Sequence, residues 1–248
     1  MGGLLFNVTT AVLMMLMLNG GLALVGQDTL RRRPAPWAAV GLTAVAVAGV
    51  ITQLCWPGAM DALDNDPARS GWWRTVTSVF MQNGGLLGGA WNIATLAVIA
   101  ALANWFWGAP LTLALFLAGI LLPERIDALF GENGRSTDPR DFAGSSGATY
   151  FLAATLSAAL LLRALRTLRT LRTGRRKDRE NLKETLLAVG VPVLGLAVWF
   201  TQSNGHGLVS AYGFALGAAV CALTHRTADR PTPAARATTG EEAPHGTA

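Results

Sequence analysis

Charge is confined to a few short stretches of this chain, and seven apolar segments lie between them: about 4–26, 37–57, 78–104, 106–122, 147–162, 184–202 and 206–223. No other feature limits the fold as strongly. A helix needs roughly 20 apolar residues to cross the hydrocarbon of a bilayer. In lipid, every backbone N–H and C=O must be paired within its own structure, which favours helices for apolar runs of this length. The pattern predicts an all-α polytopic membrane protein. Charged residues make up 14% of the sequence, against about 25% for a soluble domain.

The net charge of +5 would suit a nucleic-acid partner, but Arg163 to Arg179 carries most of the excess. Beside a span, such a run is a topology signal, and no nucleic acid is expected. Two basic clusters orient the chain: Arg31-Arg32-Arg33 after the first segment and "RALRTLRTLRTGRRKDR" between the fifth and sixth. Four crossings separate them, so both can be cytoplasmic. The N-terminus then lies outside, as do 58–73, 123–146 and the link at Ser203-Asn204-Gly205. Residues 226–248, rich in Thr, Pro, Ala and charge, are expected to form a disordered cytoplasmic tail. The N-terminal run is too long for a signal peptide and has no basic residue before it, so a retained helix is expected. Arg163, Arg166, Arg169 and Arg172 recur every third residue beside Leu165, Leu168 and Leu171. That rhythm fits an amphipathic helix on anionic lipid or a charged stop for the fifth span. Cys55 and Cys221 fall toward opposite faces, and neither has the spaced partners of a metal site. No metal or cofactor is expected.

"FAGSSGATY", residues 142–150, places Gly144, Ser145, Ser146 and Gly147 where a polar loop meets the fifth apolar run. Topology brings His206, at the start of the last segment, to the same external side; His225 and His245 fall on the cytoplasmic side. From His206, positions 4, 7 and 11 further on are Ser210, Gly213 and Gly217. From Ser146, the same offsets give Tyr150, Ala153 and Ser157. Each set lies on one helical face, and small residues let membrane helices approach closely. Such packing can bring the hydroxyl within reach of the imidazole. The run 147–162 is about 24 Å long at 1.5 Å per residue, shorter than the roughly 30 Å hydrocarbon core. With its cytoplasmic end pinned by Arg163, Ser146 is expected at the bottom of a cavity. The bland readings are an N-cap for Ser146, a helix–helix hydrogen bond for Asn92 and interfacial anchoring for Trp72 and Trp73.

Together these residues resemble the rhomboid family of intramembrane serine proteases. Gly144-Ser145-Ser146-Gly147 matches the family's Gly-x-Ser-Gly, and Tyr150 matches the tyrosine that packs on the catalytic histidine. His206 with Gly213 and Gly217 resembles the last-helix pattern. Trp73-Arg74 followed by Thr77 and Phe80 resembles the motif that ends the first external loop. The resemblance covers about residues 37–223 and implies a six-helix rhomboid-like bundle within 34–225, with an extra N-terminal transmembrane helix and basic loop in 1–33. It implies Ser146 and His206 as a catalytic dyad, Tyr150 as the packing partner of the histidine, and Asn92 with the Ser146 backbone as the oxyanion hole. Transmembrane protein substrates in the lipid bilayer of the cell membrane would, on that resemblance, be cut on the external side. The alternative is a rhomboid-like pseudoprotease that binds membrane clients without cleaving them. The sequence departs from the family where Gly88 replaces a histidine, Val209 a glycine, and Gln82 or Asn83 an earlier histidine. The stretch from Trp73 to Asn92 is one residue longer than the family's, and the glutamate motif is missing around Asn104.

Overall fold

The computed structural model describes residues 2–66, 69, 71–129, 143–170 and 175–228. Seven long helices form the bundle: α1 (Gly2–Val25), α2 (Trp37–Cys55), α5 (Gly85–Trp107), α6 (Ala109–Leu129), α7 (Ser146–Thr170), α8 (Arg175–Gln202) and α9 (Gly205–Ala228). Two short ones, α3 (Ala59–Leu63) and α4 (Arg74–Thr77), lie between α2 and α5. Among the described residues six helices are long and apolar enough to cross a membrane; the apolar part of α6, Ala109–Pro123, is shorter. By length and composition this is a multi-pass helical membrane protein. The expected external loop 123–146 lies largely outside the described residues, as does the tail beyond Ala228.

One expected helix starts late. The third apolar run opens at Ser78, but Ser78–Phe80 forms a 3-10 turn and α5 begins only at Gly85. Gly84 and Gly85 adopt φ of 124° and 70°, a region that glycine alone enters without steric cost. The seven residues before α5 therefore form a loop against α2, where Gly49 faces the Phe80 carbonyl. Arg74 closes the preceding loop: its buried guanidinium donates to the Asp61 and Asp64 carbonyls at 3.2 and 2.9 Å and pairs with the Asp64 carboxylate at 3.2 Å. It also lies 5.0 Å over the Trp73 ring. Trp72 is exposed. Asn104, in the place of the missing glutamate motif, accepts from the Ala38 N–H at 3.1 Å. This satisfies one of the unpartnered donors at the start of α2.

The centre of the bundle is α7, against which α1, α5, α6, α8 and α9 all pack. Phe151, Leu152, Ala153, Ala154, Leu156 and Leu160 are fully or almost fully buried there. The glycine stripe of α9 is the seam: a Cβ at Gly213 would strike the Phe151 carbonyl, and one at Gly217 would come within 2.6 Å of Thr155 Cα. The facing stripe on α7 is Phe151 and Thr155. Of the stripe expected from Ser146, Ser157 instead faces Gly20 of α1. A second glycine crossing joins α8 to α9, with Gly195 and Gly207 backbone to backbone. Gly213→Ala is expected to destabilise the fold by about 1–3 kcal/mol, because the seam is already in contact and the extra methyl overpacks it. Gly41→Ala, with nothing within 4 Å of the new methyl, should match or exceed wild type, alanine being the better helix former. Thermal melting in detergent compares the two; equal midpoints would remove the seam from the account.

Both basic clusters meet at one end of the bundle. Arg33 donates to the Val25 carbonyl at 2.8 Å. Arg163 donates to the Ala23 and Leu24 carbonyls at 2.9 Å and pairs with Glu184 at 2.8 Å. Cations there satisfy the last carbonyls of α1 and the negative end of its dipole. Thr170 ends α7, and residues 171–174 lie outside the described part, so the Arg-Leu rhythm is seen only in its first half. Cys55 is exposed and Cys221 buried, both free.

Candidate functional site

Ser146 is the first residue of α7, at the end of the bundle opposite Arg163. The residue in the N-cap position is therefore Ser145, whose carbonyl accepts from Thr149 N–H at 2.9 Å and Thr149 Oγ1 at 2.8 Å. The Ser145 hydroxyl is buried without a partner among the described residues, so neither serine acts as a side-chain cap. Just before them, Gly144 has φ 133°, and its N–H donates to the Ser78 carbonyl at 3.0 Å. The loop before α5 thus fixes the approach to Ser146.

Asn92 and Ser146 both border that turn. Asn92 Nδ2 and Ser146 Oγ lie 3.6 and 3.8 Å from the point where a Cβ on Gly144 would stand. A side chain at 144 would fill the space they share, which gives the glycine a second reason. Asn92 Nδ2 also donates to Gln82 Oε1 at 3.0 Å. Gln82 is held from α2, its N–H donating to Gln53 Oε1 at 2.9 Å and its carbonyl accepting from Gln53 Nε2 at 3.1 Å. Asn92 therefore ties α5 to the loop before it rather than to another helix, and its amide nitrogen borders the Gly144 turn beside Ser146.

On the other side, His206 is the second residue of α9. Its ring meets Tyr150 edge-on at 4.7 Å between centroids, and Phe6 of α1 at 6.4 Å. Tyr150 is buried and stands four residues, just over one turn, after Ser146, about 6 Å along the helix. Contact with Tyr150 thus places the imidazole against the side chain that follows Ser146 on the same face of α7. Among the described residues Ser146 Oγ makes no hydrogen bond, so the structure does not join it to His206. Catalytic hydrogen bonds are often long before substrate binds.

Sequence reasoning missed what holds the histidine. Asn204 is fully buried, and its Oδ1 lies 3.1 Å from both the backbone N and the ring Nδ1 of His206. Its Nδ2 donates to Thr10 Oγ1 at 2.7 Å, while Tyr150 OH donates to the Thr10 carbonyl at 2.6 Å. Thr9 adds a bond to Gln202 at 3.0 Å. The first helix is thus part of the site, packing on α5, α7 and α8. An asparagine two residues before a lone histidine was the available signal.

Ser146 is half-buried. An apolar cavity of about 190 Å³ lies elsewhere, between α1 and α5, bounded by Met14, Leu18, Trp91 and Val98. Among the described residues no group of His, Cys, Asp and Glu could hold a metal ion. No protein-family model, no characterised protein and no solved structure matches this chain.

Proposed function

We propose that this protein is a rhomboid-like intramembrane serine endopeptidase that cuts transmembrane or membrane-proximal peptide bonds. The observation that carries the reading is the packing of Tyr150 on His206, 4.7 Å between rings, one turn from Ser146. Ser146 Oγ attacks the scissile carbonyl while His206 takes its proton and later delivers it to the leaving amine. The backbone N–H of Ser146 and the Asn92 amide stabilise the tetrahedral oxyanion, a role that needs donors placed before charge develops. Tyr150 holds the imidazole by packing.

The site opens on the external side of the cell membrane in this reading, because Arg33 and Arg163 mark the other end of the bundle and the positive-inside rule makes that end cytoplasmic. In a variant without Cys55 and Cys221, a cysteine at Ser136 should react with an impermeant reagent in intact cells. One at Thr173 should react only once the membrane is opened. The reverse pattern would overturn the orientation.

A serine-directed fluorophosphonate tests the activity. Covalent labelling of the detergent-solubilised protein, lost in Ser146→Ala, is expected of an activated serine. A folded protein that resists labelling would instead be a pseudoprotease, holding membrane clients without cutting them.

A further inference from the structure

The protons between α1 and His206 can be assigned because both ends of the relay are backbone groups. The Phe6 carbonyl only accepts, and Thr10 Oγ1 lies 2.7 Å from it, so the threonine hydroxyl points its proton there. Its lone pairs then face Asn204, which must present Nδ2, at 2.7 Å. At the other end the His206 backbone N–H only donates, so Asn204 must present Oδ1 to it, at 3.1 Å. The two constraints agree and fix the amide orientation. The same Oδ1 lies 3.1 Å from Nδ1 of the imidazole, and an amide oxygen can only accept. The proton of the neutral ring therefore sits on Nδ1, and Nε2 carries the lone pair.

We propose that Asn204, held by Thr10 of α1, is the positioning residue that fixes His206 as its Nδ1–H tautomer, so that Ser146, His206 and Asn204 act as a Ser–His–Asn constellation. This rests on the reading of Ser146 and His206 as a catalytic pair. The ring nitrogen opposite the hydrogen bond is the one able to take the serine proton. Asparagine holds the equivalent place beside histidine in one of the convergent triads. The extra helix then has a chemical role: its Thr10 orients the amide that orients the base. Burial of Asn204 keeps water from competing for either bond.

Capping and positioning can be separated. In Asn204→Ser the hydroxyl still caps α9 through the His206 N–H, but is too short to serve the ring as well. Asn204→Asp retains an oxygen for both. With full-length protein in detergent and a transmembrane reporter substrate, Asn204→Ser should lower kcat by about 10-fold to 10²-fold with KM little changed. That is a smaller loss than the roughly 10⁴ that follows from removing a charged partner. Asn204→Asp, whose second oxygen can accept from the Thr10 hydroxyl in place of the lost Nδ2 bond, should lose less turnover than Asn204→Ser. Nitrogen-15 spectra of the histidine ring, assigned with His225→Gln and His245→Gln, should show Nδ1–H in wild type and a shift toward Nε2–H in Asn204→Ser. Unchanged kcat and unchanged ring signals in a folded Asn204→Ser would reduce Asn204 to a cap and overturn the proposal, as would Nε2–H in wild type. Should Asn204→Ser fail to fold, Thr10→Val leaves the cap intact and must still disturb the ring signals. Wild type that shows Nδ1–H but cuts nothing would sink the protease reading while sustaining the assignment of Asn204.

Discussion

Ser146→Ala is expected to abolish cleavage of a transmembrane reporter substrate, while Ser145→Ala keeps most of it. Loss of a serine nucleophile or its base costs about 10⁶ in turnover in a well-studied serine protease, so the residual rate should fall below detection. The two serines differ in what surrounds them. Ser145 is fully buried under α7 and contributes its carbonyl to Thr149, so removing its hydroxyl leaves the backbone bonds intact. Ser146 is half-buried at the first helical position, where the N–H groups have no partner in their own helix and the dipole favours negative charge. His206→Ala should match Ser146→Ala, and the double variant should be no worse than either, because the two act as one unit. Turnover measured for all four proteins, each with its melting temperature, decides the matter. Equal losses at Ser145 and Ser146, or a working Ser146→Ala, would remove Ser146 as nucleophile.

How far the sequence could carry this depended on the length scale of the signal. Long apolar runs between charge clusters set the long helices, because lipid leaves the backbone few alternatives. The start of α5 was not legible, since Ser78 to Leu87 is apolar enough to continue a helix, yet it is broken at Met81, which is extended, and at Gly84 and Gly85, whose φ are positive. The glycines of α9 were legible as a close-packing face, but their partners on α7 were not. Spacing fixes the face of one helix and says nothing of its rotation against the next, so Phe151 and Thr155 stand where Ala153 and Ser157 were expected. Ser146, Tyr150 and His206 could be paired by topology. The relay through Thr10 and Asn204 could not, because it joins residues 194 apart. The first helix looked like an addition for the same reason: its polar contacts with the site run through Thr9 and Thr10, and the rest of it, Phe6 included, reads as an ordinary apolar span.

Asn92→Ala should lower turnover by about 10² to 10³ with little change in substrate binding, the signature of a donor used only in the transition state. The amide has two N–H bonds to give. One goes to Gln82 Oε1 at 3.0 Å; the same nitrogen borders the space at Gly144 that Ser146 Oγ also borders. Gln82 is held at its own backbone by Gln53, so the amide is presented nitrogen-first before any oxyanion forms. Asn92→Asp keeps the shape but has no donor, and its charge would repel the oxyanion, so it should be at least as slow as Asn92→Ala. Where the family has a histidine, Gly88 has only the Asn83 carbonyl, at 4.0 Å, near the direction of an added Cβ. A Cβ can therefore be admitted there, and on the rhomboid-like reading Gly88→His should recover part of the rate lost in Asn92→Ala. Single-turnover cleavage, with melting in detergent as the check on folding, is the measurement. An undiminished rate in folded Asn92→Ala would confine Asn92 to holding α5 against the loop before it. The oxyanion would then have to be held by another donor, and Gln82 Nε2, buried nearby with no partner among the described residues, is the amide the structure leaves for that role.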